Sequence, residues 1–264
     1  MANPTDRITA ELLLHELKTK VVGRALHCFE SIDSTNRMAR ELAEQGAPDG
    51  AVVVAEHQTG GRGRLSRLWE APPDSCILCS VIFYPDVQPE FLFRLTMLAS
   101  VAIVDALQTT AGIRAGIKWP NDVYAGDKKI CGILTEVDCS PQSVHYAVVG
   151  IGINVNWDMR NHKEFGHCAT SLSDVCGKNI SRVKLLREVL QQLDRGYSRI
   201  HDGAGLHSLW SQRCMHLGRL VRIVSERETL EGFARGITEL GHLMLESADG
   251  RMHEILCGDV SLRW

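Results

Sequence analysis

Residues 58–69 read Gln-Thr-Gly-Gly-Arg-Gly-Arg-Leu-Ser-Arg-Leu-Trp, which places three glycines and three arginines within twelve positions. Glycine lets backbone N–H groups approach a bound molecule closely. The guanidinium group of arginine offers a fixed set of donors that fits carboxylate or phosphate. The stretch therefore predicts a loop that binds more than one anionic group. A solvated loop with scattered charge is the simpler interpretation, but the alternation of glycine with arginine before Trp69 is unusual for one.

Apolar segments on both sides of this arginine loop have the length and composition of buried strands. Residues 51–56 lead into the loop, and residues 77–83 follow it. Upstream, residues 33–36 (Asp-Ser-Thr-Asn) offer N-caps for a helix that Gly46 ends. The same patterns predict helices at residues 10–17, 92–110 and 182–200, and strands at residues 27–32, 116–119, 129–137 and 144–154.

The pattern changes near residue 214, where short apolar runs begin to alternate with glycine-containing turns. Runs at residues 220–224, 230–237, 243–246 and 254–257 predict a small all-β unit of about 50 residues. We therefore expect two domains, residues 1–213 and residues 214–264. The first should combine helices with a mixed, largely antiparallel sheet, and the second should be a small β-barrel.

Composition excludes several classes of protein. A net charge of −3 over 264 residues argues against a general nucleic-acid binder. The chain has no run of about 18 apolar residues and no basic and apolar signal segment at its start, so we expect neither a membrane protein nor a secreted one. Nine irregularly spaced cysteines are typical of reduced thiols in the cytoplasm. Cys76 and Cys79, three apart on a predicted strand, face opposite sides and do not predict a metal or redox site.

A second dense motif is Lys-Trp-Pro-Asn-Asp at residues 118–122. Pro-Asn-Asp is good turn chemistry, and the turn would hold the Asn121 and Asp122 side chains on a constrained loop. A carboxylate near the arginine loop could bind Mg²⁺, or a ribose or phosphate group through the metal. The turn and the binding role are compatible.

Two further motifs are ambiguous when taken alone. Residues 127–134 place Lys129 at the start of a buried strand, where it either points into a pocket or lies solvated at a hairpin tip; the motif by itself favours the tip. Residues 150–154, Gly-Ile-Gly-Ile-Asn, lack the third glycine and the following helix of a dinucleotide fingerprint. Glycines in a strand more often permit close approach of a ligand or of another backbone.

Together these motifs resemble the biotin–protein ligases, in the family's order and over residues 34–154. The resemblance rests on Ser34-Thr35-Asn36, Gln58 with Gly61-Arg62-Gly63-Arg64 through Trp69, residues 118–122, residues 129–134 and residues 150–154. It implies a class II synthetase-like catalytic domain followed by an SH3-like C-terminal domain. It also implies activation of biotin by ATP and transfer to a lysine of a biotin carboxyl carrier protein, with Mg²⁺ but without a tightly bound cofactor or structural metal.

The resemblance assigns roles residue by residue. The implied catalytic residues are Lys129, Arg62 and Arg64. The implied biotin-binding residues are Ser34, Thr35, Asn36, Gln58, Gly61, Arg62, Gly63, Arg64, Lys129 and Gly132. The implied adenylate-binding residues are Arg67, Trp69, Asn121, Asp122, Gly152 and Asn154, with Asp122 as the Mg²⁺ ligand.

Two departures and two alternatives remain at this point. Ser66 stands where the family's loop usually has glycine, which would stiffen the loop. About 33 residues precede Ser34, too few for a winged-helix domain, so binding to DNA is not expected; a homodimer is compatible with the family. The alternatives are a lipoate– or octanoate–protein ligase of the same fold and a non-catalytic biotin sensor.

Overall fold

The computed structural model describes residues 6–161, 168–201, 203–224, 229–256 and 258–262. Within them the chain forms a seven-stranded sheet with helices and then a five-stranded sheet. The helices are α1 (Ala10–Leu14), α2 (Thr35–Glu44), α3 (Phe93–Ala111), α4 (Leu172–Cys176), α5 (Arg182–Tyr197) and α6 (Ala204–Arg213). Among these helices, none combines the length and apolar character that crossing a membrane requires.

The first sheet is mixed and mostly antiparallel, as the sequence predicts. Its spatial order is β1-β2-β3-β7-β6-β5-β4. Only β1 and β2 are parallel among the neighbouring pairs of this sheet. The strands are β1 (Leu26–Ile32), β2 (Val52–Gln58), β3 (Cys76–Phe83), β4 (Ala115–Lys118), β5 (Asp122–Ala125), β6 (Lys128–Cys139) and β7 (Val144–Asn154).

Strand β3 is buried on both faces and separates two layers of the core. Successive side chains of a strand point to opposite faces. Ile77 and Val81 therefore join the large core around α3, whereas Ile82 packs in a smaller cluster with Ala39 and Ala43 of α2. Helix α3 is buried on every side from Arg94 to Val104, as a helix enclosed by its neighbours is, and it packs against α5, α6 and the sheet.

A buried ion pair holds the start of the described chain against β2. Glu56 is 3% exposed and accepts from Arg182 Nη1 at 2.5 Å and from the Ile8 backbone at 2.6 Å. Arg182, at the start of α5, also pairs with Asp6 at 3.2 Å. Breaking the pair would leave a charge buried without its partner, which is strongly destabilising. The cluster therefore holds the end of β2, where the arginine loop begins, firmly in place.

The second sheet is antiparallel, with the order β11-β10-β9-β8-β12. Its strands are β8 (Leu220–Val224), β9 (Thr229–Ile237), β10 (Leu243–Glu246), β11 (Met252–Ile255) and β12 (Asp259–Leu262). The last strand was not predicted from the sequence. The predicted run at 254–257 corresponds to β11, and residue 257 lies outside the described part of the chain.

Several predicted boundaries are wrong for identifiable reasons. Strand β5 was not predicted; it lies between β4 and β6 and pairs with both. β5 has only four residues and follows a proline turn, so its sequence is too short to show the alternation of a strand. Helix α6 is short, and Arg213 falls on the same face as its apolar residues Leu206, Leu209 and Trp210, which weakens the pattern. Helix α4 has only five residues, and α1 ends at Leu14 rather than at residue 17.

The two sheets meet at Trp119, which is 1% exposed. Its indole Nε1 donates to the Gly241 carbonyl at 2.8 Å, and its backbone N–H points to His216 Nδ1 at 3.5 Å. Because Nδ1 accepts, the neutral imidazole carries its proton on Nε2, which has no partner within the described residues. Burial, reinforced by the nearby Lys118 charge, lowers the pKa of His216 to about 4.

This histidine gives the stability of the protein a pH dependence. The unfolded chain binds a proton at His216 near the ordinary pKa of about 6.5, while the folded chain does so only near 4. The stabilisation is therefore complete above pH 6.5 and is lost as the pH falls toward 4. Between pH 7.5 and 5 we expect the wild type to lose about 2 kcal/mol more than His216→Gln does, measured by urea unfolding. Equal losses in the two proteins would contradict the assignment.

Candidate active site

A cleft lies on the face of the first sheet that carries the start of α2, and it encloses about 780 Å³ of space that is open to solvent. Fourteen of the sixteen site residues predicted from the sequence line it. They are Ser34, Thr35, Asn36, Gln58, Arg62, Gly63, Arg64, Arg67, Trp69, Asn121, Asp122, Lys129, Gly132 and Gly152. Residues more than 100 positions apart are thus brought into one site.

A buried polar wall forms one side of the cleft. Gln58, at the end of β2, accepts through Oε1 from the backbone N–H of Thr35 at 2.7 Å and from its hydroxyl at 3.0 Å. Thr35 is the first residue of α2, where backbone N–H groups lack partners within the helix. Ser80 of β3 adds a hydroxyl 2.8 Å from Thr35 Oγ1. The wall offers neutral donors and acceptors that suit an uncharged polar ligand group.

Glycines of β6 and β7 form the floor. Gly132 and Gly152 are partners in register, and the indole of Trp69 lies over both. A methyl group added at Gly132 would lie 2.8 Å from Trp69, and one at Gly152 would lie 2.5 Å from it. Trp69 Nε1 is buried there and has no hydrogen-bond partner among the described residues. Glycine is needed at both positions because the Trp69 indole lies directly on the sheet there.

The arginine loop folds back on itself beside this floor. Trp69 N–H donates to the Gly61 carbonyl at 3.0 Å, and Gly63 N–H donates to the Arg67 carbonyl at 2.7 Å. Residues 64–66 form a short 3₁₀ turn in which Leu65 has a φ of 55°. The left-handed backbone therefore falls on Leu65 and not on Ser66, the position where the family's glycine is replaced.

Positive charge dominates the cleft. Four cations line it, Arg62, Arg64, Arg67 and Lys129, against Asp122 as the one carboxylate among its described residues. Lys129 Nζ lies 2.7 Å from Asp122 Oδ1 and 5.4 Å from the centre of the Trp69 ring.

Lys129 is thus part of the cleft, and the interpretation of it as a solvated hairpin tip is wrong. Arg64 Nη1 donates to Asn121 Oδ1 at 3.1 Å. The excess of three positive charges fits anionic ligands.

Two predicted residues lie outside the lining. Asn154 is 3% exposed, and its Nδ2 donates to the Thr170 carbonyl at 3.1 Å. Gly61 is buried beneath the loop, where a methyl group would lie 2.4 Å from the Trp69 carbonyl. Six lining residues were not predicted: Leu68, Leu78, Ile133, Leu134, Gly150 and Ile151. Most are apolar, and an apolar residue facing a cleft has the same sequence pattern as one in the core.

The cysteine thiols near the site are unreactive at neutral pH. Cys79 and Cys131 are fully buried. Burial raises the pKa of Cys79 to about 12 and the pKa of Cys131 well above its ordinary value. Both thiols stay protonated at neutral pH, whereas the thiolate is the nucleophile and the metal ligand. The groups left for chemistry in the cleft are therefore its cations and its polar wall.

Comparison with known proteins places this mixed sheet and its cationic cleft in a class of protein ligases. The model of the Biotin/lipoate A/B protein ligase family matches residues 28–154, and that of the Biotin protein ligase C terminal domain matches residues 216–263. Within that class, the chain belongs to the biotin protein ligase family, which confirms the resemblance seen in the sequence.

Individual relatives agree with this placement. The chain is 37% identical to the bifunctional ligase/repressor BirA of Bacillus spizizenii over 93% of its own length and 76% of the relative's. It is 31% identical to the biotin–[acetyl-CoA-carboxylase] ligase of Mycobacterium tuberculosis over 97% of both chains. The biotin protein ligase of Aquifex aeolicus, solved with biotin and ATP, superposes with a TM-score of 0.76 at 29% identity over 91% of this chain and 99% of that one.

The glycine floor yields a prediction about the loop. Gly152→Ala should push the Trp69 indole off the sheet, because the added methyl group would lie 2.5 Å from the ring. The freed loop should then be cut faster by trypsin at Arg62, Arg64 and Arg67, as judged by mass spectrometry of the fragments. Gly236→Ala is the matched control, since a methyl group there has no neighbour within 4 Å. Equal cleavage rates in the two variants would mean that the glycine does not hold the loop.

Proposed function

We propose that this chain activates biotin with ATP to form biotinyl-5′-AMP and then transfers biotin to a lysine of a biotin carboxyl carrier protein. The observation that carries the proposal is the junction of a neutral polar wall with a cluster of cations in one cleft. Biotin has the matching shape, with an uncharged ureido ring at one end and a carboxylate at the other. The ligase names of the relatives support the same activity.

The first step brings two anions together. A carboxylate oxygen of biotin attacks the α-phosphorus of ATP, the new oxygen–phosphorus bond forms, and pyrophosphate leaves. Fixed positive charge offsets the repulsion and stabilises the charge that develops in the transition state. In this proposal Lys129, Arg62 and Arg64 supply that charge. Asp122 keeps the Lys129 ammonium group in place through their 2.7 Å contact.

The proposal divides the cleft between the two substrates. Ser34, Thr35, Asn36 and Gln58 form the biotin side, with Gly61, Gly63 and Gly132 allowing the ligand to lie close to the backbone. Arg67, Trp69, Asn121, Asp122 and Gly152 form the adenylate side. For Asn154, which is buried beside this side, we propose an indirect role through the Thr170 carbonyl that it holds.

Mg²⁺ enters the proposal as part of the substrate. The described residues contain no cluster of three or more metal-ligating side chains. Asp122 pairs with Lys129 through one carboxylate oxygen, Oδ1, so it is the second oxygen that we propose as the ligand. Mg²⁺ is commonly bound through one or two carboxylates together with substrate phosphates. We therefore propose that the ion arrives with ATP and that Asp122 is its single protein ligand.

In the second step the amine of the acceptor lysine attacks the acyl carbon of biotinyl-5′-AMP. An amide bond forms, the bond to the phosphate oxygen breaks, and AMP leaves. The mixed anhydride is also hydrolysed by water, so the cleft must exclude water while the intermediate is bound. The arginine loop is suited to this role because it lies beside the cleft and its three arginines line it.

The closure leads to a prediction for residues 60–69. We expect their amides to exchange with solvent faster in the free protein than in the complex with biotinyl-5′-AMP, because the ligand gives the loop anionic partners. Hydrogen exchange read by mass spectrometry measures this difference. The same protection in both states would exclude a lid.

Lys129→Ala tests the proposed charge directly. Removing a comparable donor from an active site typically slows catalysis by about 10²–10³-fold. We therefore expect the rate of biotinyl-5′-AMP formation, measured by the release of pyrophosphate, to fall by that factor. Lys128→Ala is the matched control, because neighbouring residues of a strand point to opposite faces. An unchanged rate in Lys129→Ala would refute the assigned role.

The activity itself is tested by mass spectrometry of a carrier domain after incubation with the protein, ATP, Mg²⁺ and biotin. The proposal expects a mass increase of one biotin on one lysine. Incorporation of lipoate or octanoate in place of biotin would identify the other branch of the family. Tight binding of biotin without any transfer would identify a sensor.

Three smaller parts complete the proposal. We infer a boundary between two domains at residues 213 and 214, close to the Trp119 contact that joins the sheets. We place the protein in the cytoplasm, because all eight cysteines of the described residues are free thiols and such thiols are typical of a reducing compartment. For the oligomeric state we take the family's homodimer as the working hypothesis, which sedimentation with and without biotinyl-5′-AMP measures.

A further inference from the structure

A row of hydrogen bonds runs behind the polar wall, from the cleft to the outer end of β6. Asn36 of α2 lies above Gly150, where a methyl group would lie 2.1 Å from its Oδ1. Gly150 is flanked in register by Ser80 on β3 and by Leu134 on β6. The Asn36 amide therefore spans three strands over a glycine, and it is 6% exposed.

Glu136 fixes the orientation of this amide. Asn36 Nδ2 donates to Glu136 Oε2 at 2.7 Å and to the Leu134 carbonyl at 3.3 Å. Both partners only accept, so the opposite orientation would set oxygen against oxygen. Both amide hydrogens are thereby used inside the protein, and Asn36 has none left for a ligand. Its Oδ1 is turned to Ser80, whose hydroxyl lies 2.6 Å away.

Ser80 carries the effect into the cleft. Its hydroxyl has one proton and two acceptors in reach, Asn36 Oδ1 at 2.6 Å and Thr35 Oγ1 at 2.8 Å. Thr35 Oγ1 carries two lone pairs, so even with Ser80 beside it one is left for a ligand in the cleft that Thr35 lines. The hydroxyl proton of Thr35 points to Gln58 Oε1. Thr35 then acts as an acceptor, which is what the N–H groups of a ureido ring require.

We propose that Glu136 is a positioning residue for the biotin side of the cleft and acts through Asn36 and Ser80. This inference rests on the proposed function, since it takes biotin as the ligand of the wall. Glu136 itself lies outside the cleft, in a surface groove with Arg40, Glu44 and Tyr146. If Glu136 is lost, the Asn36 amide keeps only the Leu134 carbonyl at 3.3 Å as an acceptor. The amide, and the Ser80 and Thr35 hydroxyls that follow it in the row, are then held less firmly in place.

Glu136→Ala should therefore weaken the binding of biotin without affecting the binding of ATP. Because the change alters the biotin side of the cleft and none of the charges around the phosphate, we expect the KM for biotin to rise about tenfold, with kcat and the KM for ATP within about twofold. Biotin affinity measured by calorimetry without ATP should fall by the same factor. Asp138→Ala is the matched control: it removes a carboxylate two residues further along β6, from the same groove, where Asp138 pairs with His145 at 3.3 Å.

Exchanging the carboxylate and the amide between positions 36 and 136 distinguishes a positioning role from general damage to the fold. Asn36→Asp sets two carboxylates at hydrogen-bond distance and should weaken biotin binding at least as much as Glu136→Ala. Glu136→Gln keeps an acceptor for Asn36 and should bind biotin within about threefold of the wild type. The double variant Asn36→Asp/Glu136→Gln restores a donor facing a carboxylate, so its biotin affinity should recover most of the loss.

The outcomes are distinct. Selective loss in Glu136→Ala, together with recovery in the double variant, supports the inference. It is overturned if Glu136→Ala and Asn36→Asp bind biotin within twofold of the wild type, or if the double variant is as weak as Asn36→Asp. A wild type that binds no biotin in the same calorimetry would instead overturn the proposed function.

Discussion

The close approach of side chains to the backbone of β6 and β7 is the constraint on which the rest of the site depends. Gly132 and Gly152 let the Trp69 indole lie on the sheet, and Gly150 does the same for the Asn36 amide. Any side chain at these positions would occupy the same space. The glycines thus create both the floor of the cleft and the place where α2 meets the sheet.

Charge is organised around that floor by the strands themselves. Asp122 of β5 is the register partner of Gly132, and Lys129 of β6 reaches Asp122 across the same pair of strands. Asn121 precedes β5 and accepts from Arg64 of the loop. Trp119, two residues earlier, is anchored to Gly241 of the second sheet. The packing of the C-terminal sheet therefore supports the segment that carries Asn121 and Asp122 into the cleft.

The accuracy of the sequence-based expectations follows the strength of each local signal. Long apolar strands such as β3 and β7 and the long helix α3 were found because burial leaves a continuous pattern. β5 and α6 were missed because a four-residue strand and a ten-residue helix with Arg213 on its apolar face leave only a weak pattern. Lys129 was ambiguous for the same reason: two adjacent lysines at a strand start look alike until pairing with β5 shows which of them faces Asp122.

The sequence by itself determined the family, the mixed sheet and most of the residues that line the cleft, because ordered motifs carry specific chemistry. Only the tertiary structure decided how these residues act on one another. It buried Asn154 away from the lining, placed the left-handed backbone on Leu65 and brought Ser80 and Glu136 to Asn36. The physical reason is that hydrogen-bond partners from three strands and a helix become neighbours only when the sheet is assembled.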